Sequence, residues 1–451
     1  MRIRLPWLIS RRKLLISCIY EIVLIYLLNV YIFSEYFVFA KNIKFFTLLF
    51  IPLWLLLSYL FGRYSYEEEF FKNKKNNIFI QLYLRTLLVS MTSIFAIFIV
   101  FENINLNNFN HYDQIIVIYS AQISFIINLL QFPLINTFIR KTLSKEYWIF
   151  IGSDELYQFL NNELEFSRKK VKLLNKGIDL KLSEKNFHKI KGIIIDKVED
   201  INQAELNKFF EFQKKGKEII SAEMWCELNL QRFPSEMISK EFFLKGNFST
   251  SYNSFQLRFK RIGDVLFSVV LLVVTTPIVL ISGLIIYLED KSNFIYLQER
   301  VGLNKKKFIL YKLRTMIPYA EKGKPKWASK YDKRITKIGG FLRKTRIDEL
   351  PQLLNVIKGD MSLIGPRPER EVFDKELKKF IPYYDFRYSL KPGLSGWAQV
   401  NFPYGSSLDD AKKKFGYDLF YLRNFSIWLD FLILFKTIRI VFLKKGSIPN
   451  N

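Results

Sequence analysis

Asp348 and Glu349 stand side by side in the run from Lys344 to Glu369, K-T-R-I-D-E-L-P-Q-L-L-N-V-I-K-G-D-M-S-L-I-G-P-R-P-E. Ile347, Leu350, Leu354 and Ile357 recur at helical spacing, so the segment is expected to be a short helix with one face on a core and the acids beside that face. Neighbouring helical residues point about 100° apart, which gives the two carboxylates separate jobs: one can attack while the other holds a metal. Gly359-Asp360 ends the helix, and in Gly365-Pro366-Arg367-Pro368-Glu369 the prolines fix the backbone and aim Arg367. Arginine grips a phosphate with two parallel hydrogen bonds. Carboxylates, a divalent cation and an aimed guanidinium are what chemistry on a diphosphate uses. Taken alone, the acidic pair and proline turn also fit a solvated surface helix.

The rest of the composition narrows the chemistry. The chain has two histidines, His111 and His188, both far from this run, so an acid, base or nucleophile there is Asp, Glu, Lys, Tyr or Ser and a Ser-His-Asp site is excluded. Cys18 and Cys226 lie far apart in unlike surroundings and imply neither a disulfide framework nor a zinc site. Half of the 451 residues are hydrophobic, and the net charge is +26. In so apolar a chain that charge points to an anionic membrane surface or anionic substrate, not to nucleic acid.

Four apolar stretches of spanning length come first, near 14–33, 43–61, 78–101 and 114–138. Arg2, Arg4, Arg11, Arg12 and Lys13 precede the first; Arg63, Lys72, Lys74 and Lys75 follow the second; the loop from Glu102 to Asp113 has no Lys or Arg. The positive-inside rule therefore puts both ends of this bundle in the cytoplasm, with Lys41 and Lys44 as an exception. Polar residues in or beside the spans, among them Glu21, Asn29, Gln81 and Gln122, are expected to bond helix to helix. No cleavable signal peptide is expected, since the first stretch is long and carries Glu21.

From about 141 to 235 strands near 147–151, 192–196 and 217–221 alternate with helices, one of them near 203–213, which predicts a small parallel sheet. Gly152-Ser153-Asp154 lacks the glycine-rich nucleotide fingerprint, so a structural or regulatory role is expected there. After a connector at 236–259, the stretch from Val265 to Tyr287 is long enough to cross a bilayer. Thr276-Pro277 lies in its middle, and a helix that enters, kinks there and returns keeps Asp348 on the cytoplasmic side, the alternative being an ordinary spanning helix with a proline kink. Basic residues are dense from Lys305 to Arg346, and most are expected to solvate a loop or touch anionic lipid; Lys312, Arg314 and Arg346 are singled out for phosphate groups only because they fall inside the motif blocks at 311–316 and 344–369. The turn Lys391 to Trp397, with two glycines and a proline, suits either close approach to a ligand or membrane or a structural corner. Ile427 to Phe442 is short for a span, carries three charges, and is expected to lie on the membrane or against the core.

Six blocks in order carry a resemblance over Lys260 to Val441: K-R-I-G-D at 260–264, Q-E-R-V-G at 298–302, Y-K-L-R-T-M at 311–316, the central run, K-P-G-L-S-G-W-A-Q-V-N at 391–401, and Y-D-L-F-Y at 417–421. The chain resembles the bacterial sugar transferases, the monotopic phosphoglycosyl transferases, and with its N-terminal half the large four-span subgroup. The resemblance implies a four-helix membrane bundle at 1–140, a small α/β Rossmann-like cytoplasmic domain at 141–235, and an α/β catalytic domain at 260–451 with a re-entrant helix at 265–287 kinked at Thr276 and Pro277. It implies transfer of a sugar-1-phosphate from a UDP-sugar to polyprenyl phosphate at the inner face of the bacterial cytoplasmic membrane, by a multi-pass protein expected to form a homodimer. Asp348 is then the nucleophile, Glu349 with Asp348 the Mg²⁺ site, and Arg367 the diphosphate ligand, joined by Arg346, Lys312 and Arg314. A rival reading is a catalytically retired membrane sensor or scaffold.

Overall fold

The computed structural model describes residues 18–27, 40–65, 77–103, 146–167, 171–175, 190–196, 203–245, 255–318, 332–402 and 407–442, with a few single positions between them. The fourth expected span, 114–138, and the lysines at 322, 324, 326 and 330 lie outside the described residues, Ile126 apart.

Three apolar helices come first, α1 (Cys18–Leu27), α2 (Ala40–Leu60) and α3 (Asn77–Asn103). Glu21 is buried among them, and its Oε2 accepts from Arg63 Nη1 (2.9 Å), Tyr64 Oη (2.8 Å) and Trp54 Nε1 (3.3 Å). Helix-to-helix bonding is thus the use the fold makes of this polar residue, because a carboxylate away from water needs its lone pairs filled.

The next unit is a four-stranded parallel sheet in the order β2-β1-β3-β4, from β1 (Glu146–Ile151), β2 (Val171–Asn175), β3 (Ile190–Ile195) and β4 (Glu218–Ser221). Its helices are α4 (Asp154–Ser167), α5 (Gln203–Lys214) and α6 (Ala222–Asn229). Trp148, Phe150, Leu160, Ile194 and Trp225 fill its core. β2 is not evident from sequence because V-K-L-L-N has no turn residues before it and, among its described side chains, Leu173 alone is buried.

A short helix, α7 (Lys240–Lys245), leads to α8 (Phe255–Asp290), the helix among the described residues that is long and apolar enough to cross a membrane. Both ends of α8 are fastened to the C-terminal unit. Near its start Arg261 donates to the carbonyls of Val356 (2.5 Å) and Ile357 (2.8 Å), and Asp264 Oδ1 accepts from Leu363 N (3.2 Å). Near its end Ile286 is buried with Leu313 and Leu342, and Gly283 lies where a Cβ would come within 2.8 Å of the Phe294 ring. Between them Val270, Val273, Val274, Leu280 and Ile281 are exposed. Pro277 has no N–H for the helix ladder, and the hydroxyls of Thr275 and Thr276 donate back to Leu271 (2.7 Å) and Leu272 (2.6 Å), features that bend helices.

An antiparallel hairpin follows, β5 (Ile295–Val301) with β6 (Lys307–Leu313), then α9 (Lys337–Thr345). The expected single helix over 347–357 is in fact two pieces: a 3-10 turn, Ile347–Gln352, and α10 (Leu353–Lys358). Arg346 in the left-handed region (φ 60°) closes α9, and Pro351 cannot donate into an α-helical ladder. The tighter turn advances three residues per repeat, so Leu350, Leu353 and Val356 face the core, while Leu354, assigned to that face from spacing, is 42% exposed.

β7 (Ser362–Ile364) pairs in parallel with β8 (Gly393–Ser395), with α11 (Glu371–Phe380) between them. A Cβ at Gly365 would sit 2.4 Å from Lys391 O, and one at Gly393 2.0 Å from Gly365 N. Of the two readings of the Lys391–Trp397 turn, the structural corner is the one built: backbone meets backbone there. α12 (Trp397–Asn401), α13 (Leu408–Arg423) and α14 (Ile427–Phe442) complete the chain. α14 buries Leu429 and Ile433, exposes Trp428 (69%), and touches α2 through Phe435 against Tyr59 (6.3 Å between rings).

Candidate active site

The 3-10 turn brings Asp348 and Glu349 under the cations that flank it. Asp348, 2% exposed, meets Lys312 Nζ at 2.7 Å through Oδ2, and Lys312 comes from β6. Glu349, 8% exposed, takes Arg367 Nη2 on Oε1 (2.8 Å) and Arg346 Nη1 on Oε2 (3.2 Å). Arg346 is held in a left-handed conformation that costs a non-glycine residue energy, a strain placed immediately before the dyad. Asn355 stitches the turn to the hairpin: its Oδ1 accepts from Tyr311 N (3.1 Å) and its Nδ2 donates to Ile309 O (2.6 Å), fixing β6 on either side of Leu310 and hence Lys312. The sequence signal for this residue is an amide between Leu353-Leu354 and Val356-Ile357, a polar group that such apolar neighbours would bury and that therefore needs partners.

Of the residues expected around the dyad, Lys312, Arg346 and Arg367 are brought together and Arg314 is not. Arg314 makes a bidentate pair with Asp290 at the end of α8 (2.6 and 2.5 Å) and its backbone N donates to Phe294 O (2.8 Å), so it latches helix to hairpin. It follows Leu313, the last residue of β6, and strand alternation no longer places it with Lys312. Thr276 and Pro277 lie in the exposed middle of α8.

The environments separate the two acids. Burial pushes Asp348 above the ordinary carboxylate range, with Lys312 opposing and Glu349 adding to the rise. Burial would also raise Glu349, but Arg367, Arg346 and Lys312 together outweigh it and hold it well below its ordinary value. Carboxyls driven apart in this way take different roles. Among the described residues no three His, Cys, Asp or Glu side chains gather around one point. Two adjacent carboxylates still fit Mg²⁺, which commonly takes one or two protein carboxylates and completes its shell with phosphate oxygens and water.

Residues 255–444, from the first residue of α8 to just past α14, match the bacterial sugar transferase family model. The chain is 40% identical over 196 residues to a Bacillus subtilis sugar transferase named EpsL, an alignment covering 43% of this chain and 91% of that one. The chain belongs to the bacterial sugar transferase family. It is also 44% identical over 188 residues to the UDP-N-acetylgalactosamine-undecaprenyl-phosphate N-acetylgalactosaminephosphotransferase of Aeromonas hydrophila, covering 42% of this chain and 44% of the relative. Over 181 residues it is 38% identical to the UDP-glucose:undecaprenyl-phosphate glucose-1-phosphate transferase of Caulobacter vibrioides, 40% of this chain and 68% of that one. This chain therefore spans less than half the length of the Aeromonas relative. The part of this bacterial sugar transferase that the family shares holds α8, the dyad and all three cations facing it.

Lys312→Met in this sugar transferase removes a charge that pulls Asp348 down. Without Lys312 the carboxyl is expected to titrate higher still, so a rate that depends on its ionised form would show an acid limb displaced to higher pH. Initial rates across a pH series check this; an unmoved limb would separate Lys312 from Asp348.

Proposed function

We propose that the protein transfers a sugar-1-phosphate from a UDP-sugar to undecaprenyl phosphate, releasing UMP, as the membrane step that begins a surface glycan. The observation that carries this reading is a buried, raised Asp348 beside a Glu349 held ionised by Arg346 and Arg367. The donor's diphosphate meets the guanidiniums first, since Arg367 is 39% exposed and the carboxylates are beneath it. As Arg367 and Arg346 turn to the phosphates, Glu349 is released from them and Asp348 is uncovered. A carboxylate oxygen of Asp348 then attacks the sugar-bearing phosphorus, the bond from that phosphorus to the bridging oxygen breaks, and its electron pair leaves with UMP. A phosphate oxygen of the lipid attacks the same phosphorus in the second step, and the Asp348 carboxylate is regenerated. Glu349 and Asp348 are the residues that would hold Mg²⁺, which would supply positive charge against the repulsion between carboxylate and diphosphate.

The same reading makes α8 a hairpin that enters one leaflet, bends at Pro277 and returns. This is supported by its two fastened ends and exposed middle. The N-terminal helices become part of a four-span bundle, the parallel sheet a Rossmann-like cytoplasmic module, and the assembly a homodimer with its catalytic half facing the cytoplasm.

The test is UMP release without acceptor. Purified protein given UDP-N-acetylgalactosamine or UDP-glucose should release up to one UMP per active site and stop, then turn over on addition of undecaprenyl phosphate. UMP that appears only when the lipid is present would overturn the two-step scheme.

A further inference from the structure

Arg367 is carried by a loop whose carbonyls are all tied. Pro366 O accepts from Gly393 N (2.9 Å) and Arg367 O from Arg387 Nη2 (2.8 Å). Pro368 O accepts from Arg300 Nη1 (3.0 Å) and Glu369 O from Val301 N (3.0 Å). Loops ordinarily leave such groups to water. Two of the four donors are guanidiniums, and among the described residues neither bonds to Asp348 or Glu349.

Arg387 is the more costly of the two ties to build. It is buried, and an isolated buried charge is expensive unless it is paired and its hydrogen bonds are filled. Asp418, equally buried, supplies the countercharge at 3.0 Å; Tyr384 Oη accepts from Nη1 at 2.6 Å; and the guanidinium lies over the Tyr384 and Tyr388 rings. Burial lifts the Asp418 carboxyl to about 6 although Arg387 pulls it down. A backbone N–H, like the one that ties Pro366, would anchor a carbonyl at no such cost. The rigid plane of an arginine keeps several acceptors at fixed angles: Nη2 donates to both the Arg367 carbonyl and the Asp418 carboxylate, and Nη1 to Tyr384 Oη. Asp418 is itself set from behind: Phe233 N donates to Gly416 O (3.1 Å), and Arg232 lies over the Tyr417 ring (5.6 Å), so the helix carrying Asp418 rests on the segment that leaves the parallel-sheet unit.

We propose that Arg387, locked by Asp418, is a positioning residue that presets the Arg367 guanidinium for the donor's diphosphate. This rests on the reading above, in which Arg367 grips the donor. A side chain ordered before binding loses less freedom on binding, so loosening the clamp weakens the grip and leaves the reacting carboxylate in place.

The experiment uses the full chain in detergent micelles with undecaprenyl phosphate and whichever of UDP-N-acetylgalactosamine or UDP-glucose gives the faster UMP release. R387K keeps a charge beside Asp418 but loses the flat guanidinium that spans Tyr384, Asp418 and the Arg367 carbonyl at fixed angles; D418N keeps the shape of the partner and drops its charge. Each is expected to raise the donor KM about tenfold with kcat within about threefold of the parent. R367A should raise the donor KM too, and the double variant R367A/R387K should be no worse than R367A alone, because a residue acting only through the Arg367 side chain adds nothing once that side chain is gone. If R367A leaves KM unchanged, the donor-grip reading falls and the proposal with it. If R367A raises KM but R387K lowers only the melting temperature, or multiplies the R367A effect, the grip stands and the positioning role alone is overturned.

Discussion

Asp348→Asn abolishes UMP release, by a factor on the order of 10⁴ or more, while the protein remains folded and in the membrane. The substitution keeps the volume of a side chain that is 2% exposed, so no cavity opens in the core. It removes the negative charge that Lys312 meets at 2.7 Å, but Lys312 is partly exposed and can turn to water. On the proposed mechanism, what it takes away is the nucleophilic oxygen. Two readouts check this together: the acceptor-free UMP burst, and the intact mass of the protein after donor treatment, which should rise by a sugar phosphate in the parent and not in the variant. Near-normal transfer by the asparagine variant would refute the nucleophile assignment.

Glu349→Gln lowers kcat about 10²-fold to 10³-fold, while the donor KM stays level or falls. Glu349 occupies Arg367 and Arg346 in the free protein, at 2.8 and 3.2 Å. Those guanidiniums are released early in the variant, so the diphosphate binds at least as well. Chemistry slows because a charged oxygen donor beside Asp348 is gone. The variant should also need more Mg²⁺ to reach half of its maximal rate. Rates measured over a Mg²⁺ series decide it: an unchanged half-saturating concentration counts against the metal role, and a raised donor KM counts against the release of the arginines.

Much of this site was legible from residue types in order. The acids at 348 and 349 and the proline-framed Arg367 stand out by residue type and order, the basic positions at 312 and 346 by falling inside the blocks that carry the family resemblance, and the structure gathers them. Arg314 went astray for a local reason, since the strand that points Lys312 at the dyad ends at Leu313. The helix expected over 347–357 failed at Pro351, whose effect on hydrogen bonding outweighed an apolar periodicity that fits either helix type. Arg387 could not be read from sequence at all. It lies outside every quoted block, and its partners Asp418 and the Arg367 carbonyl come from segments 31 and 20 residues away. The parallel sheet showed the opposite behaviour: apolar β3, buried along most of its length, announced itself, while the short β2 did not.

One feature of α8 reaches beyond catalysis. Arg261 and Asp264 hold its first turns, Ile286 holds its last, and both grips are on the same catalytic unit. On the proposed topology, an anchor folded back at Pro277 would have no far end to bring to a second surface. Lipid thickness, which penalises a spanning helix by fractions of a kcal/mol per ångström of mismatch, has little purchase on it. On the proposed topology, catalytic output should therefore be nearly the same in bilayers of short and of long acyl chains, with any chain-length sensitivity arising from the N-terminal helices alone.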